Sequence, residues 1–241
     1  EVIKLLEKRA SVRDYDSKEV SEPLLERILD SARNAPTSSN VQAYSLVVVR
    51  SAETRRSLAK LAGGQKHVMK APVMVAVCAD LHRLGQICTH NGTTLESGLC
   101  ELNLVAVIDA SLVGMCASLA AESVGLGTVM IGGLRNDPEA VAELLGLPEN
   151  VFCPFGLCIG WPSTAPLAKP RLPSEAVVFQ ERYDVEYPQK FVQLYDEMLS
   201  HHHAEMGRDT GSWSERVATA FGDPHRTDLA AALRRLGFTY S

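Results

Sequence analysis

The feature that most constrains this chain is a stretch, from about residue 95 to 124, that would be apolar on nearly every side of a helix. Leu99, Leu102, Val105, Ala106, Ile108, Leu112, Val113, Met115 and Leu119 leave no polar face. A helix of that kind belongs at the middle of a fold or at a large subunit interface. A bilayer-spanning helix needs roughly 18 clean apolar residues, and Glu101, Asn103 and Asp109 interrupt the run. The stretch therefore reads as a buried core helix, not a membrane span. Gly125-Leu126-Gly127 ends it.

Shorter elements are expected around this helix. Residues 2 to 8 pattern as a helix, and Ser21-Glu22-Pro23 starts a second with Leu24, Leu25, Ile28, Leu29 and Ala32 on one face. A polar turn follows over 34–40, then a strand from Tyr44 to Arg50 and a surface helix from Ala52 to Leu61. Val73 to Ala79 is continuous, apolar and β-branched, which predicts a buried central strand. Thr128–Ile131 and Phe152–Gly160 read as further strands, with a helix between them capped at Asn136-Asp137-Pro138. Pro162, Pro166, Pro170 and Pro173 then predict an extended segment. Residues 188–241 read as loosely packed helices. Helices and strands interleave without strict alternation, so the expected class is α+β. One domain over 1–241 is expected, with 163–241 forming a crossing arm and a small helical excursion.

The 241 residues are 46% hydrophobic, ample for a sizeable core. A net charge of −5 gives no global attraction to phosphate backbones, which argues against nucleic-acid binding. The six cysteines form no Cys-x-x-Cys pair and mostly sit in apolar runs, as expected of buried, reduced thiols in a cytoplasmic protein. The first residues are charged and helix-patterned, unlike a signal peptide.

Three constellations could carry chemistry. Arg9-Ala10-Ser11-Val12-Arg13 offers two guanidiniums and a hydroxyl suited to a phosphate, although a solvated surface face has the same composition. Lys169-Pro170-Arg171 projects two cations from a stiff segment, or is simply a charged loop. Ile131-Gly132-Gly133 ends a strand with two glycines, which lets backbone approach a flat ligand closely or merely turns the chain. Gly125-Leu126-Gly127 follows a helix and lacks the third glycine, so a Rossmann nucleotide site is not expected. His201-His202-His203 would point in three directions from one helix, and His82, Cys88 and His90 lack a carboxylate, so no metal site is expected.

Together these pieces resemble the nitroreductase superfamily, and within it the oxygen-insensitive NADPH nitroreductases and flavin reductases. Arg9-Ala10-Ser11-Val12-Arg13-Asp14-Tyr15 resembles the family's opening motif. Ser38-Ser39 with Gln42, Gly63-Gly64-Gln65-Lys66-His67-Val68 and the 120–127 stretch follow in the expected order. So do 131–136, 155–162 and 169–173, and the similarity runs from about residue 2 to 220.

The resemblance implies a mixed, mainly antiparallel sheet flanked by helices, in a homodimer whose extensions are exchanged. It implies FMN in a groove between the subunits, with NADPH or NADH as reductant. Arg9, Ala10, Ser11, Arg13, Lys169 and Arg171 would surround the FMN phosphate and part of the ring. Ser38, Ser39 and Gln42 would come from the partner subunit. Gln65 would meet the pyrimidine side, and Ile131, Gly132 and Gly133 would pass along the ring. Arg208 is the nearest match to a basic residue that binds the NADPH 2′-phosphate. Ala10, Asn40 and Met130 depart from residues common in the family, which bears on the substrate pocket. The implied activity is ping-pong hydride transfer from NAD(P)H through FMN to a nitroaromatic, quinone or similar acceptor, with no catalytic side chain required. Alternatives are an NAD(P)H:flavin reductase that releases reduced FMN to a partner, and a non-catalytic flavin-binding protein.

Overall fold

The computed structural model describes residues 1–165, 167–184, 189–207 and 211–238. These form two compact units, Glu1–Pro166 with Arg226–Ser241, and Leu167–His225.

In the first unit, α1 (Val2–Lys8) leads into an extended segment and then α2 (Glu22–Ala32). Pro23 stands in the first turn of α2, where its missing N–H is no loss, and Leu25, Ile28 and Ala32 are its buried face. β1 (Tyr44–Val49), α3 (Ala52–Leu61), α4 (Lys66–Lys70) and β2 (Val73–Asp80) follow. Ser51 caps α3 by accepting the Thr54 amide at 3.2 Å. Then come α5 (His82–His90), α6 (Cys100–Ser123), β3 (Gly127–Ile131), α7 (Pro138–Leu145) and β4 (Val151–Gly160). Asp137 caps α7 through the Ala140 amide at 3.0 Å, and Gly146 closes it with φ +64°, a conformation that favours glycine.

The sheet runs β1-β2-β4-β3, and all three pairings are antiparallel. β2 is interior and buried along its length, because both faces are covered. Met74, Ala76 and Cys78 pack with Leu58, Val68 and Val141 from α3, α4 and α7. Val73, Val75 and Val77 pack on the other side with Ile28 of α2 and Ala110, Val113 and Ala117 of α6. This alternation is the period of a strand. Each such large side chain contributes on the order of 2 kcal/mol by leaving water. α10 (Leu229–Arg235) and Phe238 close the end of this unit, where the Phe238 ring meets Phe152 edge-on at 4.6 Å.

Helix α6 corrects the expectation of burial on all sides. Its inward face is built from small residues, Ala106, Ala110, Gly114, Ala117 and Ala121. They let it lie close to the sheet: a Cβ at Gly114 would come within 2.6 Å of the Phe155 ring. Leu104, Ile108 and Leu112, one turn apart, remain 49%, 53% and 39% exposed. The helix also begins at Cys100, later than expected, and α5 before it was not anticipated. By length and composition α6 could cross a bilayer, yet Asn103, Asp109 and Ser118 are fully buried against protein. Only three cysteines, Cys78, Cys153 and Cys158, are buried, whereas Cys100 is exposed.

In the second unit, α8 (Gln189–Glu205) and α9 (Trp213–Gly222) form a helical pair. The Asp196 carboxylate accepts the Ser214 amide at 2.9 Å and hydroxyl at 2.5 Å. Trp213 meets Tyr195 edge-on at 5.2 Å, and Ser212 and Glu215 form a capping box.

Candidate cofactor site

After α1 the chain runs extended beside β3, with the Val12 amide donating to the Thr128 carbonyl at 2.9 Å. Val12 is buried against Gly127, where a Cβ would stand 2.5 Å from a Val12 methyl carbon. Only glycine allows that approach. Tyr15 fastens the end of the segment by donating its hydroxyl to the Val12 carbonyl at 2.9 Å. Burial raises the Tyr15 pKa well above its ordinary value, so the group is a fixed donor.

Glu122 at the end of α6 anchors the start of the segment. Its Oε1 accepts the Thr128 hydroxyl at 2.6 Å and the Ser118 hydroxyl at 3.2 Å, and stands 3.6 Å from Arg9 Nε. Arg9 Nε is buried and makes no hydrogen bond of its own. Arg9, Ala10 and Val12 line a cleft of about 190 Å³ with Lys8, Glu122 and Gly127. Ser11 is half-buried and Arg13 exposed.

A second wall forms where β3 ends. A Cβ at Gly133 would lie 2.6 Å from both the Ala62 carbonyl oxygen and Gln65 Nε2, so backbone and the Gln65 amide meet there at the closest range. Gln65 Nε2 is fixed in place by donating to the Ala62 carbonyl at 2.9 Å. At Gly132 a Cβ would meet the Arg135 guanidinium at 3.1 Å. His67, two residues beyond Gln65, has its pKa lowered by burial and then by the nearby Arg13 charge, with Asp14 opposing. Its Nε2 is buried with no hydrogen-bond partner. Arg13, Gln65, His67 and Gly133 thus belong to one region of the first unit.

Ser38, Ser39 and Gln42 do not join it. Their loop enters β1 at one edge of the sheet, at the end where Tyr44 opposes Ala79. The Arg9–Arg13 segment follows β3 at the other edge, near the end where Gly127 opposes Gly160. Three strand spacings separate the edges, about 14 Å across, before any displacement along the strands is added. The loop is exposed, with Ser39, Asn40 and Gln42 at φ 47°, 57° and 54°. Beside it, Arg33, Asn40, Gln42, Arg83 and Ile87 line a cleft of about 720 Å³.

Lys169 and Arg171 are exposed in the second unit. Arg208 lies outside the described residues. Among the described residues no group of three or more His, Cys, Asp and Glu is placed to hold a metal ion.

Sequence reasoning missed the residues that hold these pieces. Glu122 lies in the 120–127 stretch, where nothing in the sequence marks it as an anchor. Asp109 was noted only as an interruption of an apolar helix, although a carboxylate there signals a buried partner. Arg83 carried no signal beyond its charge type, and His67 none beyond its place in the 63–68 stretch.

The profile of the Nitroreductase family matches residues 6–82 and 65–161, and that of its C-terminal domain matches residues 169–241. The chain is 37% identical over 238 residues to the oxygen-insensitive NADPH nitroreductase of Salmonella typhimurium, covering 98% of this chain and 97% of that protein. To an NAD(P)H FMN reductase of Bacillus subtilis it is 36% identical over 245 residues, covering 99% and 98%. Among solved structures, Bacillus megaterium NfrA2 superimposes with a TM-score of 0.96 at 34% identity, covering 100% of this chain and 98% of that one. The NADPH:FMN oxidoreductase of Vibrio harveyi complexed with NAD+ gives 0.90 at 32% identity, covering 98% and 97%.

Proposed function

Because the chain belongs to the nitroreductase family, we propose that it is an FMN-dependent oxidoreductase carrying hydride from NAD(P)H to nitroaromatic, quinone or similar acceptors. The observation that carries this reading is the close approach at Gly133, where only a missing side chain lets the Ala62 carbonyl and the Gln65 amide pack against the backbone that ends β3. A planar, hydrogen-bonding ring system suits such a wall. An anionic tail suits the run of Arg9, Ser11 and Arg13, which puts two guanidiniums and a hydroxyl within five residues.

In this assignment Arg9, Ser11 and Arg13 hold the FMN phosphate and the Ala10 backbone passes beside it, while Lys169 and Arg171 are assigned to the phosphate by the resemblance alone. Guanidiniums match phosphate oxygens in forked geometry. Gln65 presents its amide to the pyrimidine edge, and Ile131, Gly132 and Gly133 run along the ring. FMN, when bound, supplies the hydride chemistry. The side chains bind and orient, and the cations near the pyrimidine edge favour negative charge there. NADPH and NADH are both reductants in this reading, with Arg208 assigned to the 2′-phosphate.

In this reading the site is built from two copies of the chain. Ser38, Ser39 and Gln42 stand at the opposite edge of the sheet from Arg9–Arg13, which favours their serving the ligand of a second copy. The exposed Leu104, Ile108 and Leu112 give α6 an apolar face for a second subunit. Of residues 163–241, the part up to His225 supplies the crossing arm and the helical excursion in this reading, whereas Arg226–Ser241 belong with the first unit. The free thiols suit the reducing cytoplasm.

The test is the visible spectrum of the purified protein, followed by anaerobic titration with NADPH and with NADH. The expected result is a yellow dimer bleached by a stoichiometric amount of reductant and recoloured by a quinone. A colourless protein that takes up no added FMN overturns the reading.

A further inference from the structure

Two helices reach the loop before β1 and divide its backbone between them. The Asp109 carboxylate on α6, fully buried, accepts the Ser38 amide at Oδ1 and the Ala43 amide at Oδ2, each at 3.0 Å. Arg83 on α5 donates Nη2 to the Gln42 carbonyl at 2.9 Å and the Tyr44 carbonyl at 2.6 Å. Arg83 is itself held by the buried Asp80, whose Oδ2 is 3.6 Å from its Nη1 and whose Oδ1 accepts its amide at 3.2 Å. Ser45 donates to the same Asp80 carboxylate at 2.5 Å.

Between these anchors Ser39, Asn40 and Gln42 adopt left-handed φ. Each such residue costs on the order of 1 kcal/mol and persists only where its surroundings over-determine it. Here the over-determination is a carboxylate taking the amides and a guanidinium taking the carbonyls. The result is a strained loop whose Ser38, Ser39 and Gln42 are turned out to solvent. Ile108, the neighbour of Asp109, lies on the exposed apolar face of the same helix.

We propose that Asp109 and Arg83 are positioning residues that hold Ser38–Gln42 preformed, so that the loop meets the FMN of a second copy without reordering. This rests on the reading above that the loop serves FMN across a dimer. Preorganisation removes an ordering penalty that would otherwise be taken from cofactor affinity. Because Asp109 and the apolar stripe share one helix, docking of the subunits sets the loop's place relative to the partner's cradle.

The experiment compares D109N, D109A and R83K with wild type and with R13A. It measures the FMN dissociation constant, visible circular dichroism of the bound flavin at saturating FMN, and dimer content. Loss of two charge-assisted hydrogen bonds in D109A should weaken FMN roughly 10- to 100-fold. D109N keeps one acceptor and should fall between it and wild type. R83K keeps the charge but not the forked geometry, and should weaken FMN by about tenfold. The flavin dichroism should change in all three, which a general loss of stability would not cause.

A differentially tagged heterodimer of R13A and D109A chains should regain FMN at one site of its two, since one site then has both wild-type contributions. If D109N and R83K stay dimeric and keep wild-type FMN affinity and dichroism while R13A loses FMN, the positioning role is overturned and the cofactor reading stands. If R13A also keeps FMN, the cofactor reading itself fails. Should D109A not fold, D109N and R83K decide the matter.

Discussion

Arg9 Nε and Glu122 Oε1 stand 3.6 Å apart with side chains only 15% and 8% exposed, so one carboxylate both neutralises the first cation of the cradle and ties it to α6. The same oxygen accepts the Thr128 hydroxyl at 2.6 Å, which fixes it against β3. In Glu122→Gln the hydroxyl bonds have an acceptor still, but Arg9 becomes a mostly buried cation without a counter-charge. Stability of the apoprotein should fall by about 1–3 kcal/mol, lowering Tm by several degrees in a chain of this size. A phosphate bound beside Arg9 would restore the missing negative charge. FMN should therefore raise the variant's Tm more than it raises the wild type's. Equal increments in the two proteins would remove Arg9 from the phosphate site.

Gly132 and Gly133 make a matched comparison. An alanine at Gly133 drives its methyl to 2.6 Å from the Ala62 carbonyl, and backbone cannot move aside. The cost should be about 1–3 kcal/mol as in other overpacked sites, with FMN affinity reduced at least tenfold. At Gly132 the neighbour at 3.1 Å is the Arg135 guanidinium, held to the Pro154 carbonyl at 2.7 Å, and a side-chain end need give by only a few tenths of an ångström. Gly132→Ala should therefore be the milder change in melting temperature. Identical losses, measured by thermal melts and FMN titration of both variants, would show that the Gly133 wall is not the contact surface.

What the sequence disclosed followed from local signals. The helix over Ala52–Leu61 and the strand from Val73 are set by caps, turns and short-range periodicity, and both were legible. Helix α6 was legible as a helix but not in its orientation. Twenty-four residues without a polar face carry no periodicity, so nothing marked Ala110 and Gly114 as inward and Ile108 as outward. The contacts that organise the site are long-range: Asp109 reaches residues 66 and 71 positions away. No spacing rule encodes such a pairing. Glu122 was missed for a different reason: Ser118 is its neighbour one turn back on α6, but Thr128 and Arg9 reach it only once the chain turns from helix to strand at Gly125 and the first segment lies beside β3. The cationic segment and the paired glycines could be found because chemistry leaves a composition there, whereas supports leave none.

His67 gives the first unit a pH dependence with a definite sign. Burial and the Arg13 charge hold its folded pKa below the ordinary histidine value of 6.5, with Asp14 partly opposing and itself paired to Lys70 at 3.1 Å. The unfolded chain therefore takes up the proton first as the solution is acidified. This contribution to stability is complete above about pH 6.5 and declines as the pH falls toward the folded value. Thermal melts from about pH 7.5 to pH 5.5 should show a steeper fall in Tm for wild type than for His67→Gln. Parallel curves would mean that His67 titrates freely in the folded protein.

The outward stripe of α6 carries the dimer reading and is the place to break it. Leu104, Ile108 and Leu112 follow one another at intervals of one helical turn and are 49%, 53% and 39% exposed. Their inward neighbours Asp109, Ala110 and Val113 are fully buried, so a polar residue at Ile108 faces away from the chain's own core. Ile108→Asp should leave the monomer folded, since the side chain is already 53% exposed in one chain, while placing a charge in the interface of the proposed dimer. There it would be desolvated without a partner, a penalty of several kcal/mol. Sedimentation should then report a monomer with native circular dichroism. Because Arg9–Arg13 and Ser38–Gln42 occupy opposite edges of one sheet, that monomer should also lose FMN, although no residue of the cradle has changed. A folded monomer that keeps the flavin at wild-type affinity would place the whole site within a single chain and end the two-copy account.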